Sequence, residues 1–277
     1  MSNDIRNVKV VTHDGTFHAD EVLAVAMIQM CSDFNMVDIV RTRNESKLAE
    51  ALKDPSVIVI DVGGRYEPDL NNYDHHQDEA LPCAASLIWR HFALKIPGVN
   101  KSMQKTIDQH FIKGVDLWDR GHYVGKKSYL QNTSQILGNF NRNKEDEISQ
   151  FIQFRDAVGM ASRMLENEIY NTSIFIESDK IWKKGIRSEN QKIMYLPSHC
   201  RNWRARASTE NVWVVVWPEE NEYIVCSSDV HRHPLRLPQD MRPGSPDYAQ
   251  ILFMHPSNWI AKVRTQQVAE KIAVAST

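Results

Sequence analysis

Apolar residues in the first 60 positions fall into two kinds of run, one short and β-branched, the other longer and made of helix formers. Residues 8–12 read as a strand that ends at His13, and residues 20–31 as a helix with Asp20 placed as its N-cap. Residues 37–41 read as a second strand, 45–52 as an amphipathic helix, and 56–60 as a fully apolar strand running into Asp61. The order βαβαβ predicts a parallel sheet. A turn-rich segment, 63–78, then gives way to helical spacing over 84–95 and 102–118, and the first domain is expected to close near residue 140.

The polar stretch 139–147 reads as a linker. Beyond it, residues 148–187 carry helical patterning almost throughout. Strand signals follow at 193–196, 212–217, 223–227 and 251–255, and a final helix runs from Arg264. Trp213 and Trp217 alternate with valines and read as core strand positions. The expected fold class is therefore α/β, with a parallel-sheet domain over 1–140 and a smaller α+β domain over 148–277.

Composition narrows the function classes. At 277 residues the chain is long for one core and comfortable for two. Hydrophobic residues at 42% and charged residues at 25% are the ordinary balance of a globular protein. No stretch approaches the roughly 18 apolar residues of a membrane span, and Met1-Ser2-Asn3-Asp4 does not open a signal peptide. A soluble, intracellular protein with no membrane partner is expected. Cys31, Cys83, Cys200 and Cys226 are scattered and read as free thiols of a reducing compartment. The net charge of −2 gives no global attraction to nucleic acid, so any such binding must use a local basic surface.

The chemistry sits in four short clusters: His13, His18 and Asp20 within 13–21; Asp61-Val62-Gly63-Gly64; Asp74-His75-His76; and Asp116-Leu117-Trp118-Asp119. His13 and Asp61 each follow a predicted strand, where ligands of open parallel sheets bind. His18 and Asp20, two apart, point the same way in an extended loop and with His13 can surround one centre, while a second centre can share Asp61. Adjacent histidines diverge, so His75 is assigned to metal and His76 to phosphate. Imidazole mixed with carboxylate favours Mn²⁺, ahead of Fe²⁺, Co²⁺, Zn²⁺ or Mg²⁺. Two such ions suit the hydrolysis of a phosphoester. Singly, each acid has a plainer reading: Asp20 as a helix cap, Asp61 as a strand end, Asp116 and Asp119 as a polar helix face. The His-His pair beside Asp74 has no obvious packing purpose.

These clusters resemble the DHH phosphoesterases, named for the triplet seen here as Asp74-His75-His76. Within that superfamily they are similar to the melanocyte-proliferating-gene-one family, whose characterised members are 3′ to 5′ RNA exonucleases. The resemblance implies a DHH-type N-terminal domain and a first metal on His13, His18 and Asp61. It implies a second on Asp20, Asp61, His75 and one acid of the fourth cluster, either Asp116 or Asp119. His76, with Asp74 and Asp61, is then expected to act at the reacting phosphate of RNA or a short oligonucleotide, in a protein that is cytoplasmic, nuclear or mitochondrial and in some cases a homodimer. Phosphatase or pyrophosphatase action on a small nucleotide, and a non-catalytic RNA-binding role, are the alternatives.

The C-terminal half matches the family more loosely. Leu235-Arg236-Leu237-Pro238 and Phe253-Met254-His255-Pro256-Ser257 imply substrate contacts by Arg236, His255 and Ser257. Where the family has Ser-Gly-Phe-Ile followed by Gly-Gly, this chain has Ser257-Asn258-Trp259-Ile260-Ala261-Lys262, and Lys262 is expected to replace backbone contacts to phosphate with a charge. The tryptophan expected after Leu-Pro is also absent. Lys183, Lys184, Arg187, Lys192, Arg201, Arg204 and Arg206, with Trp182 and Trp203 among them, read either as a phosphate-contacting and base-stacking surface or as solvated faces. His231 and His233 lack acidic neighbours at ligand spacing and read as surface or phosphate-facing.

Overall fold

A computed structural model describes residues 5–122, 131–142 and 146–277. The first four residues, which do not read as a signal peptide, and residues 143–145 of the expected linker lie outside the described residues. The chain forms two compact units, Met1–Thr172 and Ser173–Thr277.

In the first unit, β1 (Arg6–Thr12), α1 (Ala19–Met30), β2 (Phe34–Arg41), α2 (Glu45–Ala51) and β3 (Val57–Ile60) form the expected βαβαβ unit. β1 pairs in parallel with both β2 and β3. All four residues of β3 are buried, as an apolar run covered on both faces requires. The turn-rich segment 63–78 holds two further strands, β4 (Tyr66–Glu67) and β5 (Asn72–Tyr73). β5 extends the sheet in parallel with β3, and β4 closes the edge antiparallel, giving the order β2-β1-β3-β5-β4. Two-residue strands are too short to show alternation.

α1 is buried from Ala19 to Ile28, so it lies inside the layer rather than on its surface. It starts one residue earlier than the pattern indicates. His18 is the N-cap, and the expected cap Asp20 is the second helical residue. α3 (Ala84–Phe92) packs against α1. The predicted helix 102–118 is α4 (Lys101–Ile107), a π turn at Asp108–Ile112 and α5 (Lys113–Asp119). α6 (Thr133–Gly138) follows, and α7 (Glu147–Lys183) runs across the boundary between the units.

The second unit contains β6 (Ile186–Arg187), β7 (Ile193–Tyr195), α8 (Trp203–Thr209), β8 (Val214–Glu219), β9 (Glu222–Ser227), β10 (Ile251–Met254), β11 (Ile260–Val263) and α9 (Gln266–Ala275). The sheet order is β10-β11-β9-β8-β7-β6, antiparallel except for the β7–β8 pair. Alternation along β8 separates two cores: Val214 and Val216 pack with Val268 and Ile272 of α9, while Val215 and Trp217 pack with Trp203 and Ala207 of α8. An α/β first unit with a parallel sheet and a mixed α+β second unit is the class expected. Trp213 departs from its expected place. It precedes β8, and its indole stacks on the His233 ring at 3.8 Å.

Candidate metal centre

The ends of three strands in the first unit meet at one place. His13 follows β1, Asp61 follows β3, and His75 follows β5 by two residues. Helix α1 brings Asp20 and Glu21 in its first turn, and α5 brings Asp119 as its last residue. Asp61 takes the left-handed backbone, φ 57°, a strained choice for a residue with a side chain and one found at functional sites. The turn is completed by Gly63, where a Cβ would lie 3.0 Å from the Leu52 side chain, and Gly64, whose N–H donates to Asp74 Oδ2 at 2.6 Å.

Two faces of Asp61 meet two histidines. Its Oδ2 lies 3.4 Å from His13 Nε2, and its Oδ1 lies 3.3 Å from His75 Nε2. His13 Nε2 is also 3.0 Å from Glu21 Oε1. His75 Nε2 is 3.4 Å from Asp119 Oδ2 and 3.8 Å from Asp20 Oδ2. Three groups of donors result, each with its ligand atoms within 4.8 Å of one another: His13, His18, Glu21 and Asp61; Asp61, His75 and His76; His18, Asp20 and Asp119.

The fourth cluster leaves two acids open in the sequence, and the structure separates them. Asp119 joins His18 and Asp20. Asp116, also expected as a metal ligand, stands apart: Lys113 Nζ at 2.9 Å, Arg120 Nε at 2.8 Å and the Cys83 N–H at 2.9 Å already occupy its buried oxygens. Asp74 is likewise a bracket. It accepts from the backbone of His75, His76 and Gly64 and from His76 Nδ1 at 2.7 Å. It thereby fixes the His76 ring, whose side chain is 63% exposed.

Glu21 is a candidate site residue that the sequence reading misses. Both of its oxygens accept from the His18 N–H, at 2.8 and 2.9 Å, while Oε1 also faces His13. The available signal is its three-residue spacing from His18, which marks a capping pair. An acid in a first helical turn is ordinarily explained by the helix dipole alone.

Electrostatics call for a positive charge at this place. Burial drives Asp20 well above the usual carboxylate range, and the neighbouring Asp61, Glu21 and Asp119 add to it. Asp119 is pushed up by burial and by Asp61. Burial opposes the charged form of His13, yet Asp61 and Glu21 override it and raise the imidazole to about 10. His75 is raised in the same way by Asp61 against burial. Asp61, despite burial, is held far below its ordinary value by His13 and His75. Both oxygens of Asp20 and Oδ1 of Asp61 are buried without a hydrogen bond among the described residues. Orphaned carboxylate oxygens are costly unless a cation faces them. Imidazole nitrogen with carboxylate oxygen fits Mn²⁺, Fe²⁺, Co²⁺ or Zn²⁺.

The expected substrate residues lie in the second unit. Arg236 is exposed, with its N–H on Ser276 Oγ. His255 lies beside Trp259, and its Nδ1 accepts from the Ser257 N–H at 3.1 Å. Lys262, expected to offer its charge to phosphate, instead pairs with Glu222 at 2.5 Å from within β11. Three of the seven residues of the basic run are paired: Arg187 with Glu210, and both Arg206 and Lys183 with Asp179. Trp182 and Trp203 are buried and offer no stacking face. Asn258, at the position of the glycine in Ser-Gly-Phe-Ile, takes a left-handed backbone at φ 56°, a region that glycine adopts freely.

No helix among the described residues is long and apolar enough to cross a membrane. Residues 9–232 match the MYG1 exonuclease family, described as "Uncharacterised protein family (UPF0160)". MYG1 exonuclease of Bos taurus is 32% identical over 154 residues, covering 46% of this chain and 39% of that protein. MYG1 protein of Schizosaccharomyces pombe is 30% identical over 181 residues, covering 54% of each. MYG1 protein of Chlamydia trachomatis is 31% identical over 169 residues, covering 58% of this chain and 55% of its own. The chain thus spans about half the length, or less, of these curated relatives. Among solved structures, the pGpG-specific phosphodiesterase PggH of Vibrio cholerae overlaps 98% of this chain and 97% of its own, at 10% identity and a TM-score of 0.34. RecJ of Thermus thermophilus with Mn²⁺ overlaps 97% of this chain and 52% of its own, at 12% identity and a TM-score of 0.28. With more than half of its length matched to the family pattern, the chain belongs to the MYG1 exonuclease family.

Proposed function

We propose that the protein is a dinuclear-metal phosphodiesterase of DHH type, acting as a 3′ to 5′ exonuclease on RNA or short oligonucleotides with Mn²⁺ as its metal. The observation that carries the reading is Asp61: one buried carboxylate, on a strained backbone, turns one oxygen to His13 and the other to His75. A carboxylate so placed can bridge two ions. His13, His18 and Glu21 would complete one side; His75, whose Nε2 lies 3.8 Å from Asp20 and 3.4 Å from Asp119, would with those two acids complete the other. Two divalent ions bound there would supply charge neutralisation for the phosphoryl oxygens and a water of lowered pKa. Asp74 holds His76 by Nδ1 and leaves its exposed ring to meet the substrate phosphate. The names of the family's relatives support the nuclease class.

A second reading, hydrolysis of a small nucleotide, is favoured by Ala261 and Lys262. The Ala261 methyl is buried in the core and Lys262 is held by Glu222, so the close backbone approach that glycines would permit is closed here.

The test is to strip the protein of metal and incubate it, with and without Mn²⁺, with end-labelled single-stranded RNA, a dinucleotide and a nucleoside monophosphate. Asp61→Ala and His75→Ala run alongside. Mn²⁺-dependent shortening of RNA from its 3′ end, lost in both variants, is expected. Release of phosphate from the monophosphate alone would replace the exonuclease reading with the second one, and absence of hydrolysis despite bound Mn²⁺ would remove both.

A further inference from the structure

Next to the candidate ligands His18 and Asp119, a cavity of about 530 Å³ lies within the first unit. That is the size range of small-molecule sites. Trp118, the neighbour of Asp119 in α5, lines it with an indole that is 39% exposed. Across from it come Gln131, Gln135 and Asn139, at the start and end of α6. Of the side chains lining the cavity among the described residues, only His18 and Asp119 are titratable, and both belong to one donor group of the candidate metal centre. The rest of the wall is amide, hydroxyl and indole, with the apolar Phe17 and Ala19.

The amides are arranged, not merely present. Gln131 Oε1 accepts from Asn139 Nδ2 at 3.1 Å, and Gln135 Oε1 accepts from the Asn132 N–H at 3.0 Å. Each bond fixes the orientation of its amide, and among the described residues the NH₂ groups of Gln131 and Gln135 and the side-chain carbonyl of Asn139 take no other hydrogen bond. The wall is also tied to the ligand loop. Asn141 accepts from the Phe17 N–H at 3.1 Å and donates to the Phe17 carbonyl at 2.8 Å, one residue before His18. A molecule seated here is held at a fixed place relative to the metal ligands.

A neutral, planar molecule with both donors and acceptors on its edge fits such a wall, and a polyphosphate does not. Purines and pyrimidines in unstacked RNA are recognised by aromatic stacking and by hydrogen bonds to their edges. We propose that this cavity is a nucleobase site, which holds the base of a nucleotide whose phosphate lies at the His18 and Asp119 end. The inference rests on the phosphodiesterase reading for the phosphate's position, but the base site itself does not depend on turnover.

Binding of AMP and of ribose 5-phosphate to the full-length Mn²⁺-loaded protein, by titration calorimetry, tests it. The two share a phosphate and a ribose and differ in the base. AMP is expected to bind at least about tenfold tighter, as loss of one or two good hydrogen bonds or one stacking contact would produce. The preference should shrink to about twofold in Trp118→Ala and in the double variant Gln131→Ala/Asn139→Ala, and return in Trp118→Phe. Equal binding of the two ligands by the native protein, or an equal loss of both in the variants, would overturn the base site. An intact AMP preference in a protein that hydrolyses no RNA would support the site while refuting the exonuclease reading.

Discussion

Asp61 and Asp116 are both buried carboxylates, and their neighbours give them opposite fates. Asp116 is saturated by Arg120, Lys113 and a backbone N–H, and these partners hold its pKa below the ordinary range despite burial. Asp116→Asn should therefore cost about 2 kcal/mol, the scale of hydrogen bonds to a charged group, while leaving Mn²⁺ binding intact. Chemical denaturation at pH 7 checks the first, calorimetry the second. Because the shift is downward, the ionised form's contribution is complete above the usual carboxylate value of about 4 and is lost only as pH falls through the depressed one. At four groups of the candidate metal centre the sign is reversed, while Asp61 is lowered. His13, His75, Asp20 and Asp119 all hold protons to higher pH than usual, and a bound ion must displace them. Mn²⁺ affinity should rise with pH, about tenfold per unit for each proton released. Calorimetry in buffers of different ionisation heat counts those protons, and a pH-independent affinity would refute the ligand set. The choice between Asp116 and Asp119 is not legible in sequence because residues three apart share a helix face. What distinguishes their surroundings includes the Cys83 N–H on Asp116, which lies 33 positions away along the chain.

Elements are legible in proportion to their length and regularity. β1, β2, β3 and α1 announce themselves by apolar runs, and α7 by its extent. β4, β5 and β6 are two residues each. α8 hides within a run of arginines, and β11 within the segment read as a substrate motif. The π turn at Asp108–Ile112 is invisible for another reason. One added residue rotates the rest of the helix by about 100°, so a 3.6-residue register begun at α4 misplaces the faces of α5. Tight turns leave a sharper trace. A Cβ on Gly185, between α7 and β6, would lie 2.6 Å from Met194 Sδ, 2.9 Å from Leu196 Cδ2 and 3.1 Å from the Trp182 carbonyl. The Met194 side chain can yield and the carbonyl cannot. Gly185→Ala is expected to lower stability by about 1–3 kcal/mol in urea unfolding, the usual cost of overpacking. A neutral result would mean that the β7 side of this turn is loosely packed.

At the scale of the molecule, the polar stretch 139–147 suggests where one domain ends, whereas the compact units divide at 172/173, inside α7. The reason lies in the helix's first half. Phe154, Val158, Ala161 and Leu165 are buried, with Phe154 edge-on to Phe17 and Arg41 above its ring. Composition shows a linker, but only tertiary packing shows which core a helix joins. The cysteines divide evenly: Cys31 and Cys83 fall in the first unit, Cys200 and Cys226 in the second. All are buried, and burial raises the thiols of Cys31, Cys83 and Cys226 to about 12 and that of Cys200 above its ordinary value. A folded chain is thus nearly silent to alkylating reagents, and each unit carries its own pair of clocks that start when it opens. Mn²⁺ at a hundred times its dissociation constant should slow labelling of Cys31 and Cys83 about a hundredfold, read by mass spectrometry, since only the closed unit offers the complete ligand set.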